Sequence, residues 1–240
     1  MKNRDLIKIS IIIPCFNEKD TIIKIINKII LSLKNHNFRS YEILIVDDGS
    51  SDGTTEIIKE NFSIKNNFKV FFHDKNLGKG AAIKTAKKNS SGDIIIIQDA
   101  DLEYDPDDYD KLLNPIIDGN FKVVYGSRVL NRERYKIPGF NSKVRIFGNH
   151  FLTIISNFLN RQNLTDAHTC YKVFHKDLFD LITLEENDFA FCPEVTSKIS
   201  NLGFKIHEVP ISYNGRSYKE GKKIKTTDAL KALKTLIKYR

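Results

Sequence analysis

Five short, largely apolar runs in the first half of the chain, at residues 9–13, 41–46, 68–72, 93–97 and 123–125, are each followed within two residues by proline, glycine or aspartate. Segments of helical spacing separate them. Ile22, Ile25, Ile26, Ile29 and Leu33 recur over 21–33, with Asp20 or Thr21 as cap. Shorter helices are expected over 54–61, 81–89 and 107–117, the last entered through Pro106 in its first turn. Near-continuous apolar strands alternating with helices are the pattern of an α/β protein, whose mostly parallel sheet is covered by helices on both faces. Ligands in such sheets gather beyond the carboxyl ends of the strands. The informative residues are therefore expected just after each run.

The second half is less regular. A basic, weakly patterned stretch at 130–142 precedes a helix-like segment at 144–159, a strand-like one at 205–212 and a basic amphipathic helix at 228–239. With no repeat or low-complexity linker, the 240 residues are expected to form one domain. A composition of 41% hydrophobic and 28% charged residues argues against disorder. Cys15, Cys170 and Cys192 are odd in number and lack C-x-x-C spacing, which argues against a disulfide framework or zinc site and for a reducing compartment. The first apolar run is too short for a signal peptide, and no apolar stretch is long enough to span a bilayer. A net charge of +8 calls for an anionic partner: nucleic acid, a membrane surface or a phosphate-bearing substrate.

The strongest chemical feature is Gln98-Asp99-Ala100-Asp101-Leu102-Glu103, directly after an apolar run. On extended backbone, Asp99, Asp101 and Glu103 point the same way, and clustered carboxylates repel unless a cation neutralises them. Oxygen ligands favour Mg2+ or Mn2+. Helix capping accounts for Asp105, Asp107 and Asp108 but not for the two earlier aspartates. Asp47-Asp48-Gly49-Ser50-Ser51-Asp52-Gly53-Thr54 follows another run; its carboxylates suit a base or ribose, while Ser51, Asp52 and Thr54 suit a turn and helix cap. Asn76-Leu77-Gly78-Lys79-Gly80 offers backbone N–H groups at a helix start for a nucleotide or phosphate, without the spacing of a P-loop. No G-x-G-x-x-G follows the first strand, which argues against an NAD site.

Together with Ile13-Pro14-Cys15-Phe16-Asn17-Glu18, these motifs resemble the family 2 glycosyltransferases, which have the GT-A fold. Tyr125-Gly126-Ser127-Arg128, the 165–172 segment and the 208–213 segment narrow the resemblance to the branch of dolichyl-phosphate mannose and polyprenyl-phosphate glucose synthases. The resemblance implies a nucleotide-sugar-binding half (1–127), an acceptor half (128–225) and a C-terminal amphipathic helix (226–240). Pro14, Phe16, Asn17, Glu18 and Asp47 or Asp48 would line the nucleotide pocket, joined by Gly78, Lys79 and Asp99-Ala100-Asp101. Asp99, Asp101 and Glu103 would hold the metal, Glu103 standing where many relatives have Gln. Arg128 would bind the acceptor phosphate, as would Arg145 (or Lys143 in its place) with Asn149. Arg216 belongs to a loop, extending to Lys222 and Lys223, that would close over the diphosphate.

The activity so implied is inverting transfer of a hexose from UDP-glucose or GDP-mannose to a polyprenyl or dolichyl phosphate, needing no strong general base. It would take place peripherally on the cytoplasmic membrane face, with the helices at 144–159 and 228–239 as candidate interfacial segments and room for a separate anchoring subunit. Family 2 transfer to a hydroxyl acceptor would need a base, and Glu194 is the first candidate. A nucleotidyltransferase would release pyrophosphate instead. A nucleic-acid-binding protein would explain the charge but not the acids at strand ends. His73 and His168 read as packing or hydrogen-bonding residues, and His207 as a surface residue.

Overall fold

Along the strand β1 (Ile9–Cys15), Ile9, Ile11 and Ile13 join one core cluster and Ile12 the other, as the two-residue period of a strand requires. β2 (Tyr41–Asp47) and β4 (Ile94–Ile97) split in the same way, so the apolar runs serve two cores at once. The computed structural model describes residues 6–130, 140–216 and 226–240, with the side chains of 140–145 and 226–228 outside the description.

On one face lie α1 (Ile22–Asn35), α2 (Thr54–Phe62) and α4 (Tyr109–Ile117); on the other lie α3 (Lys79–Asn89), α6 (Lys176–Leu181) and α7 (Phe191–Asn201). A 3-10 turn at Pro106–Asp108 leads into α4, and the Asp105 carboxylate caps it by accepting from the Asp107 N–H at 3.2 Å. Adding β3 (Phe68–Phe72), β5 (Val123–Ser127), β6 (Lys172–His175) and β7 (His207–Pro210) gives a seven-stranded sheet in the order β3-β2-β1-β4-β6-β5-β7. Six strands run one way and β6 runs against both β4 and β5. The mostly parallel α/β architecture is therefore as expected, while β6 is a strand that periodicity did not reveal. Its Lys172 is fully buried, its ammonium donating to the carbonyls of Ala167 (3.2 Å) and Thr169 (2.5 Å).

α5 (Phe140–Asn160) and α8 (Thr226–Lys238) pack together and against α7. The expectation that 228–239 is an interfacial helix meets a competing arrangement: Ala232 and Leu236 are buried, while Lys231 and Lys238 pair with Asp188 (2.6 Å) and Glu186 (2.9 Å). α5 differs. Phe147, Phe151, Ile154 and Phe158 form one stripe on it and are 63%, 54%, 52% and 81% exposed. Among the described residues, no helix is long and apolar enough to cross a membrane.

Candidate active site

The carboxyl ends of β1, β2 and β4 open onto a cleft of about 380 Å³. Its walls include Pro14, Phe16, Glu18, Asp48, Gly78, Lys79, Asp99, Ala100, Asp101, Glu103, Arg128 and Arg216. Most residues singled out from the sequence thus converge from six separate segments. Asn17, Asp47 and Asn149 do not line it. The side chains of Arg145 and Lys143 lie outside the described residues, as do residues 222 and 223.

The loop after β2 folds around its two aspartates. Asp47 accepts from the Ser50 hydroxyl and the Thr55 hydroxyl, each at 2.5 Å. Asp48 accepts from the backbone N–H groups of Leu77 (3.0 Å) and Gly78 (2.7 Å) and meets His73 Nδ1 at 2.7 Å. These carboxylates hold the loops after β2 and β3 in shape, and Asp48 alone of the two also reaches the cleft. Gly49, at φ +73°, has no room for a side chain: a Cβ would sit 2.5 Å from the Lys75 carbonyl carbon. Asn17 is a tie of the same kind, its side-chain oxygen accepting from the Ser51 N–H at 2.8 Å.

The acidic run after β4 is crowded. Asp99 is paired with the Lys79 ammonium. Asp101 accepts from Arg216 Nη2 at 2.7 Å, and the same guanidinium forks onto Glu18 at 3.0 and 3.1 Å. Glu103 accepts from the Tyr213 hydroxyl (2.8 Å) and the Arg216 N–H (2.7 Å). Burial, with Asp99 and Glu103 adding like charge, pushes the Asp101 carboxyl up to about 7 despite Arg216. Among the described residues, no three Asp, Glu, His or Cys side chains are grouped closely enough to hold an ion by themselves. The expected Asp99–Asp101–Glu103 ligand set is therefore not gathered as a ready-made centre, because Glu103 is turned to Tyr213 and Arg216.

Across the cleft, Arg128 follows β5 and forms a two-point pair with Asp166, Nε at 2.6 Å and Nη2 at 2.7 Å. Asn149 Nδ2 donates to the same carboxylate at 3.0 Å. Although burial opposes it, the Arg128 guanidinium and these hydrogen bonds hold Asp166 well below the usual carboxylate range. Glu208 completes the support by accepting from the N–H groups of Thr165 (2.6 Å) and Asp166 (2.9 Å). Arg128 and Asn149, expected together, do converge, but through Asp166, to which the sequence reading gave no role.

Tyr104, His168, Cys170, Phe189 and Tyr213 also line the cleft and were not picked out as site residues. Burial, reinforced by Lys172, lowers the His168 pKa to about 4, so its ring is neutral. Glu194 lies elsewhere. Fully buried, it accepts from the N–H groups of Glu185 (2.6 Å) and Glu186 (3.0 Å) and pairs with Lys198 at 2.8 Å. These bonds make it an anchor for the 185–186 loop.

Residues 10–182 match the model of the family described as "Glycosyl transferase family 2". A UDP-N-acetylglucosamine–dolichyl-phosphate N-acetylglucosaminyltransferase of Methanococcus voltae is 33% identical over 220 residues, covering 85% of this chain and 84% of that protein. The dolichyl-phosphate beta-glucosyltransferase ALG5A of Trichomonas vaginalis is 28% identical over 240 residues, covering 96% and 72%. Among solved structures, glucosyl-3-phosphoglycerate synthase from Mycobacterium tuberculosis, in complex with Mn2+, UDP and phosphoglyceric acid, superposes with a TM-score of 0.68 at 15% identity, over 98% of this chain and 78% of that one. Mannosyl-3-phosphoglycerate synthase from Rubrobacter xylanophilus gives 0.70 at 18% identity, over 97% and 73%. The fold is thus of the GT-A type.

Proposed function

The chain belongs to glycosyl transferase family 2, and from that premise we propose that it moves a hexose from a nucleotide diphosphate-sugar to a polyprenyl or dolichyl phosphate, with inversion. The observation that carries this reading is the polarity of the cleft. Its acidic end lies beyond β1 and β4, and a fixed arginine stands on the wall beyond β5. Relatives named for dolichyl-phosphate acceptors add support, since two of them cover most of this chain.

The donor set fits a divalent cation. Its ligand atoms are all oxygens, and the like-charge crowding around Asp101 is what such an ion relieves. Mg2+ is commonly held by one or two carboxylates together with substrate phosphates, so Asp99 and Asp101 suffice without Glu103. When bound there, Mg2+ or Mn2+ would neutralise the leaving nucleoside diphosphate. Pro14 and Phe16 would flank the base, and Asp48 would keep the 73–78 loop against the nucleotide.

An acceptor phosphate is already anionic, so it attacks the anomeric carbon without losing a proton to the protein. Arg128 would orient it. Asp166 takes its Nε and one Nη2 hydrogen, leaving Nη1 to donate, and a guanidinium held at two points is aligned before substrate arrives. The hydroxyl-acceptor alternative needs a base, and Glu194 is committed to the Glu185–Glu186 loop away from the cleft. The carboxylates that do line the cleft are held by Lys79, Arg216, Tyr213 and His73.

Peripheral membrane contact, on the cytoplasmic face, belongs to the same proposal. The apolar stripe of α5 supports it, rising from the helix that carries Asn149 beside the Arg128 pair. Incubating the protein with a panel of UDP- and GDP-sugars, Mg2+ or Mn2+ and a short polyprenyl phosphate tests the whole reading. A β-linked hexosyl lipid phosphate with release of nucleoside diphosphate is expected. Retained configuration, or pyrophosphate as the product, would rule it out.

A further inference from the structure

Arg216 is the residue whose surroundings least resemble those of a loop arginine waiting for substrate. Its guanidinium sits among three carboxylates, at 3.0 Å from Glu18, 2.7 Å from Asp101 and 3.9 Å from Glu103. Its backbone N–H also donates to Glu103. The side chains of Glu18, Asp101 and Glu103 are only 6%, 15% and 10% exposed. In so shielded a cluster like-charge repulsion is weakly screened, and the guanidinium supplies the compensating charge. It competes with a metal ion for Asp101, because a dication on that carboxylate would lie close to a guanidinium held 2.7 Å from Oδ2, and the two positive charges repel.

Resting on the reading that Asp101 meets a metal-bound diphosphate, we propose that Arg216 is the resident counter-ion of the Glu18, Asp101 and Glu103 carboxylates, exchanged at Asp101 for a divalent cation only when a diphosphate arrives to take the arginine over. The chain then binds cation and nucleotide together, and cation alone poorly. The exchange balances in charge only with the diphosphate: the +1 guanidinium leaves Asp101 for the phosphate oxygens, and a 2+ ion, arriving with that anion, would replace it. Arg forks match phosphate as well as they match carboxylate, so the guanidinium keeps its hydrogen bonds in both positions. Lys79 on Asp99 does not share this role, for it makes a single pair from the helix that follows β3, whereas Arg216 bridges Glu18 and Asp101 from 198 and 115 positions along the chain.

The test is Mn2+ binding without turnover, read from the paramagnetic signal of free Mn2+, with and without UDP or GDP. Wild type is expected to bind Mn2+ weakly alone and about tenfold or more tightly with nucleotide. In Arg216→Met, Mn2+ alone should bind about tenfold more tightly than in wild type, the nucleotide-dependent gain should shrink, and Mn2+ should restore part of the lost thermal stability. Arg216→Lys, which keeps the charge but loses the planar fork, should fall between the two. Unchanged or weaker Mn2+ affinity in both variants, with nucleotide-dependent binding intact in wild type, would overturn the exchange alone. Absence of Mn2+ binding by wild type even with nucleotide would overturn the metal reading beneath it as well.

Discussion

The two sides of the cleft solve opposite problems. Beyond β4, carboxylates crowd together and are held by cations borrowed from distant parts of the chain, Lys79 for Asp99 and Arg216 for Asp101. Beyond β5, one arginine is fixed by one buried aspartate, which Asn149 braces and whose loop Glu208 braces in turn. The first arrangement leaves electrostatic strain that a ligand can relieve. In the second, the arginine and its aspartate already neutralise each other. A site that must capture a metal-bound diphosphate gains from the first, and a site that must hold a nucleophile in line gains from the second.

Asp166→Asn strikes hardest at the fixed side. It strips the half-buried Arg128 of its counter-charge at a fully buried carboxylate, so stability should fall by about 3 kcal/mol in denaturant titration. Transfer should drop by about 100-fold, chiefly through the KM for lipid phosphate. If the KM for nucleotide sugar rises instead, the division of labour between the two sides is wrong. Glu194→Gln sharpens the comparison from outside the cleft. It should cost about 1–3 kcal/mol of stability by weakening the acceptor of two backbone N–H groups, with kcat within a few-fold of wild type. A thousandfold loss of kcat in a folded variant would revive a hydroxyl acceptor with Glu194 as base.

The smallest effect concerns Glu42, far from either side. Burial tends to raise its carboxyl, but hydrogen bonds from Ser10 and Ser91, with Lys69, lower it to about 2. A folded-state pKa below the unfolded value near 4.5 stabilises the fold above pH 4.5 and loses that contribution as pH falls towards 2. The acid branch of the melting temperature against pH should therefore flatten in Glu42→Gln.

The acid side was largely legible in the sequence because its chemistry is local. Asp99 and Asp101 follow an apolar run directly, so strand-end placement and clustering are visible from spacing alone. The fixed side was not, because its logic is long-range: Asp166 lies 38 positions from Arg128, and Glu208 a further 42 on. Likewise, nothing in the alternation of apolar residues announces β6. It is four residues long and begins with a buried lysine satisfied by carbonyls of its own preceding turn. Helix periodicity found both α5 and α8 but could not tell which would keep an exposed apolar face. Both dock on α7, and what periodicity could not see is that α8 pairs Lys231 and Lys238 with the acids at 188 and 186.

One pair of titrations tests the central claim most directly: nucleoside diphosphate with Mn2+, and a short polyprenyl phosphate, each against wild type, Asp101→Asn and Arg128→Gln. The account expects Asp101→Asn to lose about tenfold or more in nucleotide affinity while keeping the lipid phosphate, and Arg128→Gln to show the reverse. Equal loss of both ligands in either variant, or loss of neither, would contradict a cleft with two separately built ends.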